Sequence, residues 1–179
     1  MADDAALWDK ICAGNTSAFE ALFREVGPRL RGFVRMYSGG QADAEDIVQE
    51  TFLEIWKRRA GYDPEKGSLR QYIYGIARKR VAQKRRESKP SADRADGTYT
   101  IAPPEPRASG TDGDLSAAVR DGMMHLEADE RGLLWLREVE GYSYAELAGI
   151  LEVPLGTVKS RIFNARESLR GIWMGRKKP

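Results

Sequence analysis

Apolar residues recur three and four positions apart along nearly the whole chain, and no stretch alternates with period two between turn signals. That pattern predicts an all-α fold. It lapses once, over residues 88–114, where Pro90, Pro103, Pro104 and Pro106 are mixed with Gly, Ser, Thr and Asp. Such a composition reads as a flexible linker. It separates an N-terminal domain over residues 1–87 from a C-terminal one over 115–179. At 179 residues the chain is filled by two small helical domains and a linker, which excludes a large multidomain enzyme.

In the first domain Leu7, Trp8 and Ile11 predict a short helix ended by Gly14, and Ser17 with Glu20 reads as a capping box for the next. That second helix carries Phe19, Leu22, Phe23, Val26, Leu30, Phe33, Val34 and Tyr37. Pro28 should kink it, and Ser38, Gly39 and Gly40 should end it. A third helix is expected from about Asp43 to Arg59. At 100° per residue, Ile47, Val48, Thr51, Phe52, Ile55 and Trp56 fall on one half, with Asp46, Gln49, Glu50, Leu53 and Lys57 on the other. Leu53 is thus an apolar residue on a polar face, which suits a protein contact, although single exposed leucines are common. After a loop over 61–67, Ser68 and Gln71 form a second capping box opening a fourth helix packed through Leu69, Tyr72, Ile73, Ile76 and Ala77. Arg78 with Arg85 and Lys79 with Arg86 stack seven apart, so these cations should point outward. Beside them Tyr62 and Lys66 suit unstacked bases, since aromatics stack on bases and cations hold phosphates; the alternative is that Tyr62 only packs on the domain.

In the second domain Leu115, Ala118, Val119, Met123 and Leu126 suggest one helix, and Leu133, Leu134, Leu136 and Val139 another closed by Gly141. Ser143 and Glu146 form a capping box for a short helix through Leu151. A turn over 152–156 follows, then a basic helix from about Thr157 to Trp173. Short helix, tight turn and basic helix make a helix-turn-helix layout. Val158, Ile162, Ala165 and Leu169 must be core, which turns Ser160, Phe163, Asn164 and Glu167 outward, flanked by Lys159, Arg161, Arg166 and Arg170. In a major groove Lys can donate to guanine, Asn can pair with adenine and Phe can meet a thymine methyl, while the arginines take phosphates.

The net charge of +2 conceals strong segregation: residues 1–68 sum to −3, 69–89 to +7, 90–115 to −3, 116–152 to −5 and 153–179 to +6. A polyanion touching both basic poles would account for this, because each cation on a phosphate releases condensed counterion. Helix C-termini also favour cations, which is the plainer account of either block alone. No apolar run approaches the roughly 20 residues that span a bilayer. Asp3, Asp4 and Asp9 stand where a signal peptide would be basic, so a cytoplasmic protein without membrane insertion is expected. One cysteine, Cys12, and one histidine, His125, supply neither a disulfide framework nor a structural zinc site. No metal, cofactor, catalytic residue or small-molecule substrate is expected.

Four runs in order resemble bacterial extracytoplasmic-function sigma factors of the sigma-70 family: residues 43–56 (DAEDIVQETFLEIW), 68–77 (SLRQYIYGIA), 141–148 (GYSYAELA) and 153–166 (VPLGTVKSRIFNAR). The resemblance implies a region 2-like bundle and a region 4-like helix-turn-helix. It further implies a non-catalytic subunit that binds core RNA polymerase, at the β′ coiled coil and β flap, and directs it to promoter DNA. An anti-sigma factor is implied as a further partner. Asp46, Gln49, Glu50 and Leu53 match the family's polymerase-gripping positions. Residues 62–69, with Tyr62, Lys66 and Ser68, match its −10 base-capture loop, and Arg78, Lys79, Arg85 and Arg86 lie on the helix engaging the −10 region. Lys159, Ser160, Phe163 and Asn164 match positions reading the −35 element, with Thr157, Arg161 and Arg166 as backbone-contacting or supporting positions. The acidic linker resembles the family's connector through the RNA exit path. The chain departs from the family pattern at Tyr72, where Trp is common, at Lys79, where Asn is, and at Asn164, where Arg is frequent.

Two other readings compete. A stand-alone helix-turn-helix regulator on duplex operators would need a dimer interface, and no heptad run or spare apolar face provides one. A nuclease would need Asp43, Glu45, Asp46 and Glu50 to converge on Mg²⁺, which the helical wheel does not favour.

Overall fold

The computed structural model describes residues 2–40, 44–87 and 117–176, and among these the regular structure is helical throughout. The expected linker, Asp43 and Leu115 lie outside the described residues, as does the side chain of Ala118. The elements are α1 (Ala2–Cys12), α2 (Thr16–Ser38), α3 (Ala44–Lys57), α4 (Leu69–Glu87), α5 (Ala117–Met124), α6 (Ala128–Leu134), α7 (Tyr144–Leu151) and α8 (Leu155–Arg176). Among the described residues no helix is long and apolar enough to cross a membrane.

Local chemistry sets most boundaries. The cap of α2 is Asn15, whose side chain accepts from the Ala18 amide at 2.9 Å. Ser17, expected as the cap, already lies inside the helix. Asn15 wins because it follows Gly14, whose φ of 83° turns the chain and leaves Asn15 extended. The helix then passes unbroken through Pro28 and ends at Gly39 in the left-handed region, with φ 69°. The two capping boxes form as expected. The Ser68 amide donates to Gln71 Oε1 at 2.7 Å and the Gln71 amide to Ser68 Oγ at 3.3 Å, and Ser143 and Glu146 bond reciprocally at the start of α7. The turn between α7 and α8 is shorter than expected. The Pro154 carbonyl accepts from the Thr157 and Val158 amides at 2.9 and 3.2 Å, so Leu155 and Gly156 enter the first turn of α8.

The apolar stripes close into one core. Leu22, Val26, Leu30, Phe33, Ile47, Phe52, Ile55, Ile73 and Val81 form its first part, and Leu133, Trp135, Leu136, Leu147, Val158 and Ile162 its second. These two parts belong to the two expected domains, yet they join without a break. Between α2 and α8 lies α6, while α7 packs on α4. A π-helical turn, Trp135–Val139, extends α6, with the Glu140 amide bonded to the Trp135 carbonyl. At the seam the approach is very close: a β-carbon on Gly32 would lie 2.8 Å from the Trp135 ring, and one on Gly132 would strike the Tyr37 ring. Tyr74 meets Tyr142 edge-on at 5.7 Å.

Polar ties fix the register of that seam. Tyr37 donates its hydroxyl to Asp129 at 2.6 Å. Arg131, 3% exposed, donates through Nε to the Met36 carbonyl and through Nη1 to the Leu126 carbonyl at 2.9 Å, with the Tyr37 carbonyl 3.4 Å from Nη2. Two of these carbonyls end α2, the negative pole of that helix, which favours the cation. Exposed ion pairs across the seam contribute at most about 1 kcal/mol each. Burial of Trp135 contributes about 2–3 kcal/mol, so apolar packing and the buried arginine dominate.

Arg131→Ala should therefore lower stability by about 3 kcal/mol, since it strands buried carbonyls on both sides of the seam. A lower urea midpoint with an unchanged slope is the expected result. Alkali supplies a second check. Burial first, then the bond to Asp129, raises the Tyr37 phenol well above its ordinary range, and burial likewise raises Tyr74 and Tyr142. Unfolded phenols ionise near about 10, so the unfolded state sheds protons first and stability should fall as pH rises above that value. Arg131, pushed down to about 10 chiefly by burial, acts in the opposite sense, one group against three. Tyrosinate absorbance from these rings should appear only together with loss of helical circular dichroism.

Candidate nucleic-acid and partner interfaces

The outer face of α3 is built as its sequence suggests. Ile47, Val48, Thr51, Phe52 and Ile55 are buried, and Thr51 returns its hydroxyl to the Ile47 carbonyl at 2.7 Å. This leaves Asp46 and Gln49 exposed, Glu50 half-buried and Leu53 55% exposed. Cations from α4 edge the same face. Lys84 lies 3.3 Å from Glu50 and 3.7 Å from Asp46, and Arg80 lies 3.2 Å from Glu50 and 2.6 Å from Glu54. Leu53 therefore stands in a polar, largely charge-balanced surround. Of the carboxylates that a metal would need, Asp46 and Glu50 share Lys84, Glu45 is held by Arg31 at 2.6 Å, and Asp43 lies outside the described residues.

The loop between α3 and α4 consists of two 3-10 turns, Arg59–Gly61 and Pro64–Lys66. Asp63 organises it. Its carboxylate accepts from the Glu65 amide at 3.0 Å and pairs with Lys66 at 3.2 Å, and the backbone bond first, then the lysine, holds its carboxyl below the ordinary range. Tyr62 departs from expectation. Its ring is 8% exposed, edge-on to Trp8 of α1 at 5.3 Å and tilted on Tyr72 at 5.7 Å, and its hydroxyl donates to the Gly67 carbonyl at 3.0 Å. It offers no face for stacking and instead ties the loop to α1 and α4. Lys66 is exposed, and Ser68 is occupied in the capping box.

The cations of α4 divide. Arg86 is exposed and Arg85 half-buried. Arg78 and Lys79 are expected to face outward; Arg78 is half-buried and its Nη2 donates to the Leu151 carbonyl at 3.4 Å, while Lys79 is exposed and its Nζ bonds to an equally exposed Glu152 at 2.6 Å. A seven-residue spacing puts cations on neighbouring sides of a helix but says nothing of what docks there. Between the loop, α4 and the end of α7 lies a cleft of about 330 Å³, lined by Lys66, Ser68, Gln71, Tyr72, Ile150 and Glu152 among others.

On α8 the outward face is present as expected. Val158, Ile162 and Ala165 are buried, Phe163 is 64% exposed, and Lys159, Ser160, Arg161, Asn164 and Arg166 are exposed. Thr157 is half-buried, and its carbonyl accepts from Ser160 Oγ at 3.0 Å. Arg166 pairs with Glu138, and Arg161 borders a small cavity at the seam with Tyr37, Arg78 and Asp129. Leu155, 43% exposed at the start of the helix, adds an apolar residue that the sequence reading passed over. The seam residues Arg131, Trp135 and Glu152 were also passed over. A signal existed for Trp135: residues 132–136, Gly-Leu-Leu-Trp-Leu, carry no polar side chain, and a helix apolar all round must be covered on every side, whereas nothing in the pattern marks Arg131.

Comparison with known proteins agrees with this architecture. Residues 22–90 match the family Sigma-70 region 2, and residues 116–169 match Sigma-70, region 4. The ECF RNA polymerase sigma-E factor of Haemophilus influenzae is 30% identical over 177 residues, covering 93% of this chain and 93% of that protein. The RNA polymerase sigma-H factor of Pseudomonas aeruginosa is 28% identical, covering 93% and 91%. Among solved structures, the sigma factor RpoE of Bartonella quintana, in complex with the anti-sigma factor NepR, superposes with a TM-score of 0.71 at 26% identity, over 87% of this chain and 96% of that one. CnrH, in complex with the cytosolic domain of CnrY, shares the fold, with a TM-score of 0.69 at 22% identity over 96% and 97%. Matched in both regions and along nearly its whole length, the chain belongs to the extracytoplasmic-function sigma factors of the sigma-70 family and is an RNA polymerase sigma factor.

Proposed function

We propose that this sigma factor grips core RNA polymerase through the outer face of α3, meets the −10 element with the 62–68 loop and α4, and reads the −35 element with α8. The family acts in transcription initiation without catalysing a reaction, and we assign this chain no catalytic residue. In this reading residues 1–87 and 115–179 are its two working domains, and 88–114 connects them. The observation that carries the proposal is Leu53, more than half exposed, flanked by exposed Asp46 and Gln49 on the side of α3 away from the core. A leucine so placed gains burial only when a partner covers it.

The −35 assignment rests on α8, whose core side is Val158, Ile162 and Ala165 and whose other side presents Lys159, Phe163 and Asn164 in a row able to enter a major groove. The −10 assignment rests on Lys66, Arg85 and Arg86, with Tyr62 as the buried anchor of the loop rather than a stacking platform. Arg78 and Lys79 belong to the same surface, Arg78 half-buried against the end of α7 and Lys79 exposed but paired with Glu152. An anti-sigma factor is proposed as a further partner, by analogy with the complex of RpoE and the anti-sigma factor NepR. The cytoplasm, where polymerase works, is the proposed location.

The first experiment is anisotropy of the labelled protein with bacterial core RNA polymerase. Leu53→Asp should raise the dissociation constant at least about tenfold, a change of about 1.4 kcal/mol, with circular dichroism unchanged. Equal binding by both proteins would move the polymerase interface elsewhere. Once a promoter is mapped, Lys159→Ala and Asn164→Ala should each cost about 1–3 kcal/mol on its −35 sequence and relax specificity there. A uniform loss on all sequences would make them phosphate contacts instead.

A further inference from the structure

We infer that Glu152 is an intramolecular stand-in for a promoter phosphate, its carboxylate occupying Lys79 and withholding that cation from DNA while the two halves of the molecule are docked. The inference rests on the proposed reading of α4 as a −10 contact helix. Its structural basis is a pairing of consecutive residues. Arg78 donates to the carbonyl of Leu151, and Lys79 bonds to the side chain of Glu152 at 2.6 Å, so two neighbouring cations are met by two neighbouring residues of one turn. One residue earlier, the Ile150 carbonyl lies 3.7 Å from where a β-carbon of Gly75 would stand, so the end of α7 sits close against α4. Gly149, Ile150 and Glu152 also line the far side of the cleft whose near side is the 62–68 loop. A DNA strand following that loop onto α4 would have to enter the space α7 occupies.

The local backbone does not favour a glutamate at this exposed position. Glu152 caps α7 in the left-handed region, at φ 56°, where glycine is the unstrained choice. A carboxylate there also faces the negative pole of α7. Both effects oppose glutamate. What favours it is Lys79, the same partner that a phosphate oxygen would take.

The test measures binding of the full-length protein to a labelled single-stranded DNA of random sequence, by anisotropy across a salt series. Glu152→Gln and Glu152→Gly should each tighten binding by about fivefold, the lower end of intramolecular coupling. They should also steepen the log–log salt slope by about 0.7, the increment for one further phosphate on a single strand. Glu152→Gly should do so with a melting temperature unchanged or raised, because it relieves the left-handed strain; a role confined to the turn would not change DNA binding. Combining either variant with Lys79→Gln should abolish the gain. Affinity equal to wild type, or a gain that survives Lys79→Gln, would overturn the inference. Arg86→Gln separates the two levels: weaker binding in that variant upholds the −10 surface whatever Glu152 does, and unchanged binding counts against the surface itself.

Discussion

The arrangement of the whole molecule depends on one buried cation. Arg131 reaches from α6 to the Met36 and Tyr37 carbonyls that end α2, bonds that exist only when the two halves are together, while Leu126 of its own half holds the guanidinium in place. A guanidinium with five donors in a fixed plane suits such a cluster of carbonyls, where an ammonium would not span them. Separation would leave those carbonyls to water and would uncover Trp135, seated against Gly32, and Tyr37, seated against Gly132. The docked form is thus specified by directional bonds set within an apolar contact. The apolar contact supplies most of the energy and the arginine supplies the register.

Much of this was legible in the sequence, because helices announce themselves through spacing and caps. The stripes of α3 and α8 follow from single residues on the wheel. Leu53 and Phe163 stand exposed, as their positions off the buried stripes of α3 and α8 require. Both capping boxes form because each needs only two residues three apart. Failures came where a local rule had a competitor. Asn15 displaced Ser17 as a cap, and the Pro154 carbonyl drew Leu155 into α8.

The candidate interfaces were less legible, for a different reason. Tyr62 in a loop beside lysine looks like a stacking residue until Trp8, more than fifty positions earlier, is found against it. Arg78 and Lys79 look unpartnered until the end of α7 is found beside them. Neither fact is local, and neither leaves a periodic trace. The charge segregation did carry long-range information: the acidic stretch 116–152 precedes one basic pole, and its last residue is paired with the other. A sum over segments cannot say which acid meets which base.

The Trp8–Tyr62 contact has a consequence for how the first helix should be regarded. The matched family region begins at residue 22, so α1 lies before it, yet α1 supplies both the ring that holds Tyr62 and, through Asp4, a carboxylate accepting from the Leu69 amide at 3.1 Å. The leading segment is therefore a brace for both ends of the 62–68 loop. Any change that loosens α1, whether a cleavage, a fused tag or a protein bound to it, would be transmitted to that loop about sixty residues away along the chain, without touching the loop itself.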